Sequence, residues 1–140
     1  MVDFEKAFDT VDRARLWKAL ADLGVEPCYV DILQRLYMSQ TAVVDVGVES
    51  RPFSLQRGVK QGDPISGLLF LAVMEVCFRM LRCKWQALNS RRAGQFFGFV
   101  VDRPEDALTS LAVAHDVLLL GQSCSDTRKM MCHIRQGFAN

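Results

Sequence analysis

The stretch that most restricts what this chain can fold into is the apolar segment after Gly62-Asp63-Pro64, where residues 65–88 are rich in Leu, Val, Met, Phe and Ala. The two glycines and the proline just before it read as a loop that opens a long helix. A helix this apolar has to bury much of its surface, so it is expected to be the spine of the core. Its most apolar part, 67–76, is interrupted by Glu75 and is shorter than the roughly 20 residues that span a bilayer. A buried helix, with no membrane partner, is the expectation.

The rest of the chain is read around that spine. Val11, Ala14, Leu16, Leu20 and Leu23 recur at helical spacing over 10–23, with Asp9, Thr10 or Asp12 placed to cap and Gly24 to stop the run. A second helix is predicted from Glu26-Pro27 to about Ser39, since proline suits a first helical turn. Alternating β-branched residues over 42–56 predict two short antiparallel strands around a turn at 49–52. Strands are also predicted at 97–101, 108–113 and 117–120, a turn at 103–106, a hairpin tip at Ala114-His115-Asp116, and a last helix over 125–138. With no repeat and no linker, the expected fold class is α+β, a small antiparallel sheet with helices packed on one face.

At 140 residues, half of them apolar, the chain can build one packed core, and its net charge of +1 supplies no general field for a polyanion. Nucleic-acid contact would have to be local; Arg79, Arg82, Lys84, Arg91 and Arg92 could follow a phosphate backbone or simply decorate a solvated helix end. The five cysteines match no zinc or paired C-x-x-C spacing, and mostly buried, reduced thiols are expected. No basic region followed by an apolar one opens the sequence, so no signal peptide is expected and an intracellular location, cytoplasmic or nuclear, is implied.

Three segments carry chemistry: Asp3-Phe4-Glu5-Lys6-Ala7-Phe8-Asp9, Arg57-Gly58-Val59-Lys60-Gln61-Gly62-Asp63-Pro64, and Ala112 to Asp116. Nucleotidyl transfer needs divalent cations, because the attacking and leaving oxygens both carry developing charge. Magnesium takes hard oxygen ligands, so carboxylates must converge from separate elements. Asp3 stands where a strand should end and a helix begin, and Asp116 at a predicted hairpin tip. A sheet joining those elements would bring the two together.

In order and spacing these segments resemble the first three palm motifs of reverse transcriptases, particularly those of non-LTR retrotransposons and group II introns. The resemblance implies Asp3 and Asp116 as metal ligands, Mg2+ as cofactor, Phe8 as the gate against a ribose 2′-hydroxyl, and Gln61 and Gly62 beside the incoming nucleotide and templating base. It also implies an RNA template, a DNA primer and deoxynucleotides as partners. Residues 1–140 would form a partial reverse transcriptase domain, the palm with its motifs A to C, with fingers and thumb missing.

The third motif departs from the family at Val113 and at His115, which stands where the resemblance implies another aspartate in the catalytic set. Neutral imidazole suits zinc, copper or nickel better than magnesium and does not offset the charge of two cations. The expectation is therefore a polymerase by ancestry, inactive as it stands. Asp9 is expected to cap a helix rather than bind metal. A second reading is a non-catalytic nucleic-acid-binding or scaffold domain that keeps the palm fold.

Overall fold

The computed structural model describes residues 1–89, 97–98, 108–113 and 116–139. Its elements in chain order are β1 (Val2–Asp3), α1 (Ala7–Thr10), α2 (Arg13–Asp22), α3 (Pro27–Met38), β2 (Thr41–Ala42), β3 (Phe53–Ser54), α4 (Pro64–Asn89), β4 (Ser110–Val113), β5 (Asp116–Leu119) and α5 (Cys124–Ala139). Strands β1-β5-β4 form one antiparallel sheet and β2-β3 another. This is the α+β class read from the sequence. Two compact units result, Met1–Glu5 with Met74–Asn140, and Lys6–Val73; α4 supplies residues to both.

In the unit Lys6–Val73, the helix expected over 10–23 is α2, Arg13–Asp22, separated from the short α1 by Val11, whose backbone is extended (φ −54°, ψ 122°). The physical reason is Asp12, whose carboxylate accepts from the Arg15 N–H at 3.1 Å and so starts α2 afresh as its N-cap. That bond is also the main cause holding the Asp12 carboxyl below its ordinary pKa. Gly24, at φ +83°, ends α2 as expected. Leu16, Ala19 and Leu20 bury one face of α2, and the Trp17 ring meets Tyr37 of α3 edge-on at 5.8 Å. Tyr37 is itself buried, its hydroxyl sharing a 3.3 Å hydrogen bond with Ser66 of α4.

The strands expected over 42–56 are shorter than their valines suggested. Only two residues on each side pair, and the turn falls at 45–49 rather than 49–52, around Gly47 at φ +89° with its N–H on the Asp45 carboxylate. Val43, Val44, Val46 and Val48 are all exposed, so no burial rewards a longer ladder.

In the unit containing the three-stranded sheet, β5 alternates exposed and buried residues, with Val117 and Leu119 facing inward. Phe138 of α5 lies 4.9 Å from the Phe4 ring and 6.2 Å from that of Phe78 on α4. Ser123 caps α5, accepting from the Asp126 N–H and donating to the Asp126 carboxylate at 2.8 Å. Phe97 bridges Gly121 and Gly98 turns to φ +97°, while residues 99–101 of the expected strand, the turn at 103–106 and His115 lie outside the described residues.

Helix α4 is 26 residues long, longer than the run from which a bilayer span was argued against, and by length and composition it could cross a membrane. Its pattern is one-sided. Ser66, Leu69, Phe70, Met74, Phe78, Leu81, Trp85 and Asn89 are buried at helical spacing, while Glu75, Arg79 and Arg82 form ion pairs off that stripe. Cysteine burial was misjudged for the same reason: Cys28, Cys83, Cys124 and Cys132 are exposed and Cys77 is intermediate. Cys83 falls between the buried Leu81 and Trp85, and Cys132 between the buried Met130 and Ile134, so each points away from its helix's packed stripe.

Asn89, buried at the end of α4, behaves as an extra strand residue. Its Oδ1 accepts from the Phe97 N–H at 2.6 Å and its Nδ2 donates to the Phe97 carbonyl at 3.0 Å. Asn89→Ala removes two hydrogen bonds from the Phe97 backbone and leaves a gap in a buried site, and is expected to lower stability by about 2–4 kcal/mol. Asn89→Asp keeps the acceptor but sets a carboxylate against a carbonyl, so it should also be destabilising, and less so in acid. Urea unfolding of the parent and both variants checks this; an alanine variant as stable as the parent refutes it.

Trp85 is fully buried and its indole N–H donates to Nδ1 of His133 at 3.1 Å. That bond needs a neutral imidazole, and burial first, then the charge of Lys84, lowers the His133 pKa below its ordinary value. The unfolded chain therefore binds the proton more readily. Stability should be full above the unfolded-state value near 6.5 and fall as pH drops through the lower folded-state value. Losses from Asp12 and Glu75, whose pKa values are depressed, begin only below their ordinary 3.8 and 4.5. Thermal midpoints between pH 7.5 and 5 should slope in the parent and flatten in His133→Gln, which can still accept from the indole; equal slopes would contradict the assignment.

Candidate active site

Asp3 and Asp116 are register partners. Strand β1 pairs antiparallel with β5, Val2 opposite Val117 and Asp3 opposite Asp116. The cause is the alternation of β5: Val117 is fully buried, Val2 pairs with it on the inner face, and both aspartates are turned to the outer one. Directly opposed residues of this kind have Cβ atoms roughly 4.5–5.5 Å apart. Like charges so placed destabilise a sheet unless something shares them. Leu111 and Leu118, also cross-strand partners, are about half exposed on that outer face. Among the described residues, no group of three or more His, Cys, Asp or Glu gathers as a metal site.

The second motif lies in the other unit, where its loop is tied to the helix start that carries Phe8. The Val59 N–H donates to the Phe8 carbonyl and the Gly58 N–H to the Val11 carbonyl, both at 2.9 Å. Gly58, at φ +80°, packs so closely on α1 that a Cβ there would lie 2.8 Å from the Asp9 carbonyl oxygen. Gly62 is also left-handed, at φ +83°, but faces open space, and Asp63 caps α4 by accepting from the Ile65 N–H at 3.1 Å. The Phe8 ring stacks on Phe70 of α4 at 5.0 Å and so staples α1 to that helix.

Asp9 caps nothing. It lies within α1 and its carboxylate takes the Gln61 amide, Nε2 donating at 3.0 and 3.2 Å to its two oxygens. The basic cluster is also less available than it looked: Arg79 and Arg82 both donate to Glu75, at 2.7 and 3.2 Å, and the Arg79 bond is the main cause holding the Glu75 carboxyl below its ordinary pKa. Arg91 and Arg92 lie outside the described residues.

Arg13 was missed altogether. Its guanidinium donates to the backbone carbonyls of Tyr37 (2.7 Å), Leu55 (2.6 Å) and Gly58 (3.1 Å) and to Oε1 of Gln40 (3.0 Å), and lies over the Tyr37 ring. The advance signal was an arginine at the first position of a helix, followed by Arg15 in the same turn, where the macrodipole disfavours cations. A surface cavity of about 670 Å³ lined by Ser123, Thr127, Arg128, Met131 and Arg135, among others, includes none of the motif residues.

An α+β chain that sets two aspartates side by side on the outer face of a small antiparallel sheet is palm-like. Residues 1–139 match the family described as reverse transcriptase (RNA-dependent DNA polymerase), and the chain belongs to that family. It is 34% identical over 121 residues to the retrovirus-related Pol polyprotein from type-1 retrotransposable element R2 of Popillia japonica, covering 85% of this chain and 15% of that protein. It is 30% identical over 129 residues to the transposon TX1 uncharacterized 149 kDa protein of Xenopus laevis, covering 91% and 9%. Over 81 residues it is 38% identical to the Pol polyprotein from type-2 retrotransposable element R2DM of Drosophila melanogaster, covering 57% and 8%. The chain thus spans 15% or less of the length of these relatives.

Proposed function

We propose that this chain is the palm portion of a retroelement reverse transcriptase whose ancestral reaction is RNA-directed DNA polymerisation, and that it is inactive as it stands. The observation that carries this is the cross-strand pairing of Asp3 with Asp116. In that reaction the primer 3′-hydroxyl oxygen bonds to the α-phosphorus of a deoxynucleotide as the bond to the departing pyrophosphate breaks. The donor chemistry fits magnesium in part: Asp3 and Asp116 offer hard anionic oxygens on one sheet face, and they would hold it. When bound there, magnesium would offset the charge that develops on the attacking and leaving oxygens. Phe8, its ring held by Phe70, would exclude a ribose 2′-hydroxyl, and Gln61 and Gly62 would line the place of the incoming nucleotide on the RNA template.

His115 is the reason for proposing inactivity, since imidazole replaces an anionic oxygen at the third position of the set. Purified protein should extend no DNA primer on an RNA template with magnesium, and template-dependent extension would overturn that part of the proposal. His115→Asp should be less stable than the parent in chelator, because like charges then crowd, and should gain more thermal stability than the parent on adding millimolar magnesium. An equal magnesium response in the two proteins would show that position 115 does not face the ion.

A further inference from the structure

The bond between Asp9 and Gln61 joins the first motif to the second. An ionised carboxylate only accepts hydrogen bonds, so the amide nitrogen of Gln61, and not its oxygen, must face Asp9. Both Asp9 oxygens take the same nitrogen, at 3.0 and 3.2 Å, which fixes the sense of the amide. The backbones beneath are locked together by the Val59 to Phe8 and Gly58 to Val11 hydrogen bonds and by the close seat of Gly58 on Asp9. Gln61 therefore does not sample its two amide orientations freely. Its side chain is exposed, and its Oε1 is the atom turned away from Asp9.

We propose that Asp9 is a positioning residue that holds Gln61 as a pure acceptor, so that Gln61 recognises a hydrogen-bond donor of a nucleotide, a sugar hydroxyl or a base amino group, rather than a phosphate or carbonyl oxygen. The choice of ligand rests on the nucleotide-binding role proposed above for Gln61; the orientation of the amide does not. Without the carboxylate, the same amide could turn its NH2 outward and donate to the opposite class of partner. The position after Phe8 thus acts on specificity through Gln61 without touching the ligand.

The test uses the 140-residue chain labelled with 15N. In the parent, the two Nε2 protons of Gln61 should give resolved signals displaced from those of the exposed glutamines. Asp9→Asn should return them to ordinary positions. Gln61→Glu alone sets two carboxylates together and should shift the backbone amides of Val59 and Asp9, whereas the exchanged pair, Asp9→Asn with Gln61→Glu, restores a donor facing a carboxylate and should return those amides to their parent positions. Gln61 signals that are unchanged by Asp9→Asn would overturn the inference. Titration with thymidine triphosphate, which has a sugar hydroxyl but no base amino group, and with 2′,3′-dideoxyadenosine triphosphate, which has only the amino group, then separates the donors. One of them should move the Gln61 signals with an affinity at least about tenfold better in the parent than in Asp9→Asn, about 1.4 kcal/mol. If the Asp9-dependent signature is present but neither nucleotide moves Gln61, the nucleotide reading of Gln61 falls and the positioning by Asp9 stands.

Discussion

Replacing Gly58 by alanine is expected to destabilise the chain by about 3–5 kcal/mol, the sum of a left-handed backbone and an overlap that has nowhere to go. The backbone there sits at φ +80°, and the added methyl would lie 2.8 Å from the carbonyl oxygen and 2.9 Å from the Cα of Asp9. Both are main-chain atoms of α1, so relief means moving α1 itself and with it the hydrogen bonds that Gly58 and Val59 donate to Val11 and Phe8. Gly62 supplies the control. It has nearly the same φ, +83°, but open space where the methyl would go, so Gly62→Ala should lose only about 1–2 kcal/mol. Urea midpoints of the two variants separate conformational cost from collision; equal losses would mean that the packing of Gly58 on α1 contributes nothing.

Arg13→Ala should lower stability by about 2–4 kcal/mol, because the backbone carbonyls of Tyr37, Leu55, Arg57 and Gly58 and the Gln40 amide oxygen lose a charged donor at once. Burial lowers the pKa of this guanidinium, yet arginine stays protonated throughout the accessible range. Its value is geometric: a planar fork meets acceptors on α3, on the segment after β3 and on the loop at Gly58. Lysine keeps the charge but has one ammonium in place of the fork, so Arg13→Lys should recover only a minor part of the loss. Urea unfolding should be joined by amide exchange at Gly58 and Val59, which should quicken in both variants. A lysine variant matching the parent would show that charge alone suffices.

Much of the local structure was legible because it is decided by neighbours in the chain. Pro27 starts α3, Gly24 stops α2, and the apolar run after Pro64 is one helix from Pro64 to Asn89. The family was legible too, as was the mixture of helices and small antiparallel sheet. Of the three caps placed before the first helix, a short-range bond chose Asp12, so α2 starts at Arg13 and Asp9 is left to other partners. The valines of 43–48 misled because β-propensity reflects a surface to pack against, and all four side chains are exposed, Val46 and Val48 most of all.

Sequence by itself determined most of the types of element and the family, since periodicity, turn chemistry and residue type are properties of the chain within a few positions. Only the tertiary structure decided that Asp3 faces Asp116, that Gln61 is held by Asp9, that Asn89 completes the backbone of Phe97, and that Arg13 reaches Gly58 across 45 residues. Each is a pairing between groups brought together by folding. Strand register follows from which face is buried, and a long side chain finds its acceptors only once the backbones that carry them have been set in place.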